Sequence, residues 1–392
     1  MRKKLKLGLV GLGNMGSSHV STLMQMDNVE LVGVCDLIHE KADYFAEKAH
    51  TRAYYDCMDM MENSGLEAIQ IAVPHYDHTT ISVEAFRRGL HVLCEKPLAV
   101  HINDALKSNR AYEEALKKNP NLVFGIMFQD RTLPHYKKIK QIMESGILGK
   151  LTRVTWIDTT RFRTQVYYNS GGWRATWAGE GGGILTNQCP HTLDMYQWLF
   201  SVPKTISAYA AIGKYHDIEV EDEVSACLIH ENGMIGNLIV TTAEAPGTNR
   251  LEIAGENGKL VYENDQLTLW KNEISMLKLI EVSEKSFDTI RSVSEDVPYA
   301  SDEPSGHKVV LEQFVKRALG EDCPLIADGR EGLNSVEIAN GIMMSHFKQC
   351  PVEIATCGDE FERKLKSLIA SSKFVKHVNE QVNVNMEDSF SR

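Results

Sequence analysis

Through the first third of the chain, apolar residues fall in short unbroken runs: Leu5–Val10, Val29–Cys35, Ala68–Val73, His91–Cys94 and Leu122–Met127. Runs of this length without polar alternation fit strands buried on both faces, as in a parallel sheet. Between them, Ser17–Met26, Glu40–Ala49, His78–Arg88 and Asn103–Lys118 carry apolar residues at helical spacing. This βαβα order predicts an α/β chain whose residues 1–127 form a doubly wound domain.

Beyond residue 127 the pattern changes. A helix is predicted over Pro134–Ser145, stopped by Gly146 and Gly149. Alternating segments follow at Leu151–Thr159, Val224–His230, Met234–Thr242, Leu251–Ala254 and Lys259–Tyr262. The turns between them (Glu231-Asn232-Gly233, Gly255-Glu256-Asn257-Gly258) predict antiparallel pairing. Two late helices are predicted at His307–Leu319 and Gly332–Phe347, giving a second, α+β domain over 128–392. Residues 283–304 are polar and weakly patterned, a loop or lid candidate, and the stretch after about 375 has little core-forming character.

Composition narrows the classes of function. Apolar residues make up 43% and charged residues 24%, the balance of a globular protein, and 392 residues suit two domains. A net charge of −11 argues against a nucleic-acid or anionic-membrane partner. The eight cysteines form no CxxC pair and no zinc spacing, so they read as reduced residues. The basic start Met1-Arg2-Lys3-Lys4 is followed by an apolar run broken by Gly8, Gly11, Gly13 and Gly16, so no signal peptide is expected. No apolar run reaches transmembrane length, and a soluble cytoplasmic protein is expected.

The sharpest motif is Gly11-Leu12-Gly13-Asn14-Met15-Gly16, a GxGxxG that closes a predicted strand and opens a predicted helix. Gly11 permits the tight turn, Gly13 lets backbone approach a pyrophosphate, and Gly16 allows close helix–strand packing. The free N–H groups of the helix start then face the phosphates. Asp36, twenty residues beyond Gly16, ends the second predicted strand, where a carboxylate would accept hydrogen bonds from the adenosine ribose. It could alternatively cap the following helix. A carboxylate there repels a 2′-phosphate, and Leu37-Ile38-His39 brings no arginine, so NAD is expected in preference to NADP.

The sequence resembles the glucose–fructose oxidoreductase/inositol dehydrogenase/MocA (Gfo/Idh/MocA) family of sugar and cyclitol dehydrogenases. The resemblance spans most of the chain: Gly11–Gly16 with His19, Ala72-Val73-Pro74 with His78, Glu95-Lys96-Pro97, Arg131, Gly146-Ile147-Leu148-Gly149, Gly181-Gly182-Gly183 and His191-Thr192-Leu193-Asp194. It implies an N-terminal Rossmann domain and a C-terminal domain with a large, mostly antiparallel open sheet. Family members assemble through that open face, so a homo-oligomer, dimer or tetramer, is expected. Lys96 matches the lysine that contacts the nicotinamide ribose and the substrate hydroxyl, and His191 matches the histidine assigned to proton transfer. Ala72, Pro74, His78 and Glu95 fall at cofactor positions, with Asn14 and Met15 in the glycine loop. The family often has Asp four residues before the histidine; here Asn187 stands there, and is expected to orient substrate rather than share a proton.

Arg161, Arg163, Tyr167, Tyr168, Trp173, Arg174 and Trp177 make the stretch before the three glycines both aromatic and basic. Sugars offer C–H faces to aromatic rings and hydroxyls to Arg and Asn. Arg163, Tyr168, Trp173, Arg174 and Asn187 are therefore substrate candidates, and the segment looks like family subgroups acting on glycosides. Packing of the domain interface is the alternative for the aromatics. His307 could reach the site or simply cap its helix. The acidic run Glu219–Glu223 reads as a solvated strand end. His191 and Asp194 alone do not make a metal site, so no metal is expected.

Three functions remain open from sequence: an NAD-dependent dehydrogenase of a sugar, glycoside or cyclitol, a glycoside-cleaving enzyme acting by transient ring oxidation and elimination, and a non-catalytic NAD-binding sensor. Presence of both Lys96 and His191 argues against the last, because binding alone requires neither.

Overall fold

The computed structural model describes residues 3–378. The first sheet is built by β1 (Leu5–Val10), α1 (Asn14–Leu23), β2 (Val29–Cys35), α2 (His39–Ala49), β3 (Ala53–Tyr54), α3 (Cys57–Asn63), β4 (Ala68–Ile71), α4 (Asp77–Arg87), β5 (His91–Cys94), α5 (Ile102–Leu116) and β6 (Phe124–Ile126). Its strands run in the order β3-β2-β1-β4-β5-β6 and every pair is parallel. The order reverses between β1 and β4, which opens a crevice at their carboxyl ends. The short β3 and α3 were not separated by the sequence pattern.

The second half continues with α6 (Pro134–Glu144), β7 (Leu151–Asp158), α7 (Gln165–Tyr168), α8 (Pro190–Phe200), β8 (Thr205–Ile212), β9 (Glu221–Ile229), β10 (Ile235–Thr241), β11 (Asn249–Gly255), β12 (Gly258–Glu263), β13 (Gln266–Asn272), α9 (Met276–Val282), β14 (Ser292–Asp296), α10 (His307–Ala318), α11 (Gly332–Lys348), β15 (Val352–Glu353) and α12 (Gly358–Ser371). Its nine strands are ordered β14-β13-β12-β11-β7-β10-β9-β8-β15, antiparallel except for the parallel β7–β10 pair. One face packs on α6, α8, α11 and α12 through a core that includes Trp156, Leu193, Tyr196, Ile342 and Phe361. The other face lies open, with the Arg153–Glu252 and Arg250–Glu263 ion pairs across its strands. Tyr209 and Ile239 are exposed there, both in register with Ser225.

Two expectations change. Residues 283–304 contain the edge strand β14, paired to β13, and contribute nothing to the crevice. The expected boundary at residue 127 is crossed by the chain's return: Val310, Leu311, Phe314 and Val315 of α10 pack with Leu7, Leu9, Val123 and Met127 of the first sheet. A bridge between Gly125 and Asp328 adds to this return.

Candidate active site

The crevice widens into a cavity of about 640 Å³ that runs from the glycine loop to the stretch preceding α8. At the end of β1, Gly11 has φ +87°, and a Cβ there would lie 2.4 Å from the Ala72 carbonyl oxygen. A Cβ on Gly16 would come within 1.8 Å of the Gly11 oxygen, so Gly16 is a packing requirement and does not itself line the cavity. Gly13 faces open space, with no atom within 4 Å of where a Cβ would be, and it caps α1. Gly11, Gly13, Asn14 and Met15 therefore present backbone and a helix N-terminus to the cavity.

Asp36 lines the same end. Its carboxylate accepts the N–H of Leu12 at 2.8 Å and of Ile38 at 2.9 Å, which ties it to the glycine loop and the approach to α2. The capping alternative does not form, since Ile38 is the N-cap of α2 and no side chain caps it; Asp36 instead anchors the glycine loop while facing the cavity. This shape, a glycine cradle at one end and a carboxylate beside it, fits a dinucleotide. Lys41, on the first turn of α2, and Cys57 and Met58, at the start of α3, complete the wall; the last two lie on a helix that the sequence pattern does not separate.

Ala72, Pro74, Glu95 and Lys96 line the middle of the cavity. Glu95 is buried, and its Oε1 meets His19 Nε2 at 2.7 Å. Burial alone would push its carboxyl up, but the His19 hydrogen bond, with His19 and His307 nearby, holds it down at about 2. Lys96 Nζ donates to the Asn187 carbonyl oxygen at 3.1 Å, and burial lowers its pKa against the opposing pull of Glu95. His307 lines the cavity with its ring 5.6 Å from that of His19.

His191, 5% exposed, stands at the far wall on the first turn of α8. Its Nε2 lies 2.9 Å from the Gln129 amide nitrogen, and its Nδ1 is buried with no hydrogen-bond partner among the described residues. Burial, then the charges of Lys96 and Arg161, depress its pKa well below the ordinary imidazole value. The ring is therefore neutral near pH 7. Asp194, one turn on, does not enter the cavity. It grips Arg131 by two bonds of 2.6 and 2.8 Å, locking α8 to the turn that carries Gln129.

Trp173, Arg174, Arg163, Asn187 and Gln188 line the remaining wall, as do Arg161, Tyr167 and His75. The Arg174 guanidinium lies 4.7 Å from the ring centres of both Tyr167 and Trp173, and Arg163 lies 5.1 Å from Tyr167. Two expected residues are corrected. Tyr168 is 1% exposed and hydrogen-bonds Thr242 Oγ1 at 2.8 Å, outside the cavity. Neighbouring residues on a helix point about 100° apart, so α7 sends Tyr167 to the cavity and Tyr168 to the core. His78 is likewise off the cavity wall: its ring nitrogens reach the carbonyls of Pro97 (2.7 Å) and Val73 (2.9 Å), joining the two loops that carry Lys96 and Pro74. The first turn of α4 faces inward, which is why His78 supports the site from behind.

The acidic run also departs from expectation, since Glu221 and Asp222 are fully buried. Glu221 Oε1 accepts the N–H groups of Gly183 (2.9 Å) and Leu185 (3.1 Å), holding the triple-glycine turn against β9.

Residues 5–122 match the family described as an oxidoreductase family with an NAD-binding Rossmann fold, and residues 136–261 match its Gfo/Idh/MocA C-terminal domain. The chain belongs to the Gfo/Idh/MocA family. It is an NAD-binding oxidoreductase of that type. Its Gfo/Idh/MocA relatives include myo-inositol 2-dehydrogenase of Thermotoga maritima, 24% identical over 66% of this chain and 75% of that protein. YrbE of Bacillus subtilis, an uncharacterized oxidoreductase, is 24% identical over 90% of this chain and 98% of its own length. Among solved structures, the WlbA dehydrogenase of Bordetella pertussis, in complex with NADH and UDP-GlcNAcA, superposes with a TM-score of 0.73. It is 26% identical, with 90% of this chain and 99% of that one covered.

Proposed function

We propose that this protein is an NAD-dependent dehydrogenase that oxidises a ring hydroxyl of a sugar, glycoside or cyclitol. The observation that carries the reading is one cavity that joins the glycine cradle and Asp36 to a neutral, buried His191 beside Lys96. Bound NAD would supply the hydride acceptor. Gly11, Gly13 and the start of α1 would hold its phosphates, and Asp36 its adenosine ribose. The carboxylate of Asp36 favours NAD over NADP, since it would repel a 2′-phosphate.

Loss of hydride from a carbinol carbon requires the hydroxyl proton to leave. His191 takes that proton: its depressed pKa keeps a lone pair available near neutral pH. Lys96, held by the Asn187 carbonyl, stabilises negative charge on the reacting oxygen. Trp173 and Tyr167 offer faces for the ring C–H groups, and Arg163 and Arg174 offer donors for hydroxyls. His307, against the His19–Glu95 pair, borders the same region. The exposed Tyr209 and Ile239 on the open sheet face support assembly into a homo-oligomer, dimer or tetramer.

The test is turnover of a panel of hexoses, methyl glycosides and myo-inositol with NAD, followed as NADH absorbance, for the wild type and His191→Ala. The variant should lose about 10²–10⁴-fold in kcat with NAD affinity unchanged. Near-wild-type kcat would remove His191 as the base. Glycoside cleavage with no net NADH would move the reaction to oxidation–elimination.

A further inference from the structure

Behind the substrate wall lies a carboxylate that the reaction as described does not use. Glu180 directly precedes the three glycines, is 1% exposed, and does not itself line the cavity. One of its oxygens, Oε2, accepts the Ala175 N–H at 2.5 Å. The other, Oε1, accepts the side-chain amide of Asn187. Asn187 does line the cavity, and its main-chain oxygen receives Lys96 Nζ. Three polar groups in sequence, Glu180, Asn187 and Lys96, thus lead from the core to the reacting end.

The bond has a directional consequence. A carboxylate can only accept, so it draws the Asn187 Nδ2–H₂ inward and leaves Oδ1 as the end presented to the cavity. We propose that Glu180 is a positioning residue, which turns the Asn187 carbonyl toward the substrate so that it accepts a substrate hydroxyl. This rests on the dehydrogenase reading above. It also explains how an amide serves where relatives of the family often carry Asp: the acceptor is kept at the wall and the charge stands one residue behind it. An Asp at 187 beside Glu180 would set two carboxylates in contact, which is unfavourable without a shared proton.

A charge exchange tests this. In Glu180→Gln the side chain keeps an acceptor for Ala175 N–H, but its amide now faces Asn187. That turns Asn187 over and presents a donor to the substrate. The single variant should raise KM roughly 10- to 100-fold, the loss expected of a misdirected hydrogen bond near charge, with NAD affinity and melting temperature close to wild type. Asn187→Asp alone should lower the melting temperature and activity, because two buried carboxylates then meet. The double variant Glu180→Gln/Asn187→Asp should recover both, since the new carboxylate accepts from the glutamine amide and still faces the cavity with an oxygen.

The same panel of hexoses, methyl glycosides and myo-inositol with NAD provides the kinetics, and thermal melts with and without NADH provide the second readout. Wild-type KM in Glu180→Gln, or a double variant no better than Asn187→Asp, would overturn the proposal. Absence of turnover by the wild type on the whole panel would count against the dehydrogenase reading instead. The melting cycle then decides Glu180 by itself: recovery in the double variant supports the contact and its polarity, and additive losses refute them.

Discussion

The Gln129 side-chain nitrogen lies 2.9 Å from His191 Nε2, and both the Gln129 Oε1 and the His191 Nδ1 are buried without partners among the described residues. An amide that donates to Nε2 leaves the ring proton on Nδ1. An amide turned over accepts the Nε2 proton and leaves the Nδ1 lone pair free. Gln129 therefore decides which nitrogen of the proposed base receives a proton.

A pH profile reads this relationship. With the His191 pKa well below its ordinary value, the acid limb of kcat/KM in the wild type should fall below pH 6.5. In Gln129→Glu a carboxylate accepts from the ring and favours imidazolium. The acid limb should then move up by roughly 1–3 units, since an adjacent opposite charge shifts a pKa by that much. An unmoved limb would detach Gln129 from the chemistry.

The Arg131–Asp194 pair predicts a loss of stability. Both side chains are buried, and Arg131 also meets Glu331 at 2.8 Å. Breaking a buried ion pair from one side costs about 3–5 kcal/mol, because the remaining charge stays in the interior. Asp194→Ala should lower the folding free energy by that amount in chemical denaturation. It should also weaken catalysis, since the same pair fixes Gln129 and His191 on adjoining elements. Stability within 1 kcal/mol of wild type, on the order of a surface substitution, would mean the pair is solvated after all.

Glu221 carries a pH-dependent stability of the less usual sign. Burial raises its pKa to about 7, against the lowering effect of the hydrogen bonds it accepts, including those of Gly183 and Leu185. The folded protein thus holds this proton more tightly than the unfolded chain, whose glutamate titrates near 4.3. The contribution is fully present below the unfolded value and is lost as pH rises toward the folded one. Over that window the group withdraws about 3 kcal/mol of stability. Glu221→Gln keeps an acceptor for both N–H groups and removes the titration. Its melting temperature at pH 8 should exceed that of the wild type, and the difference should shrink toward pH 5. A difference independent of pH would show that Glu221 does not titrate between those values.

Much of the first sheet was legible because its strands are buried on both faces and its helices on one, which leaves distinct marks on hydrophobic spacing. The helix α8 left no such mark. Pro190–Phe200 is buried nearly all round, so it lacks the polar stripe that reveals a helix. Gly11, Gly13, Asp36, Lys96 and His191 were legible for a different reason: each sits in a short motif at a strand or helix end. Tyr167 against Tyr168 was not, because the choice turns on the rotation of α7, and His78 against His75 was not, because His75 lies on the turn before α4 while His78 sits on its inward-facing first turn. Glu221 looked solvated in a run of five residues with four acids, and only the docking of the triple-glycine turn reveals its burial. Gln129 and Glu180 act through partners 62 and 7 residues away, a relation no local pattern encodes.

The return of α10 to the first sheet makes the cofactor-binding half discontinuous in the gene. A fragment ending near residue 127 would leave Leu7, Leu9, Val123 and Met127 without the apolar side chains of Val310, Leu311, Phe314 and Val315. Exchange of cofactor modules between homologues, whether by recombination in nature or by splicing in the laboratory, would therefore have to carry two stretches of coding sequence together. A single crossover beyond β6 would join the sheet of one parent to the covering helix of another.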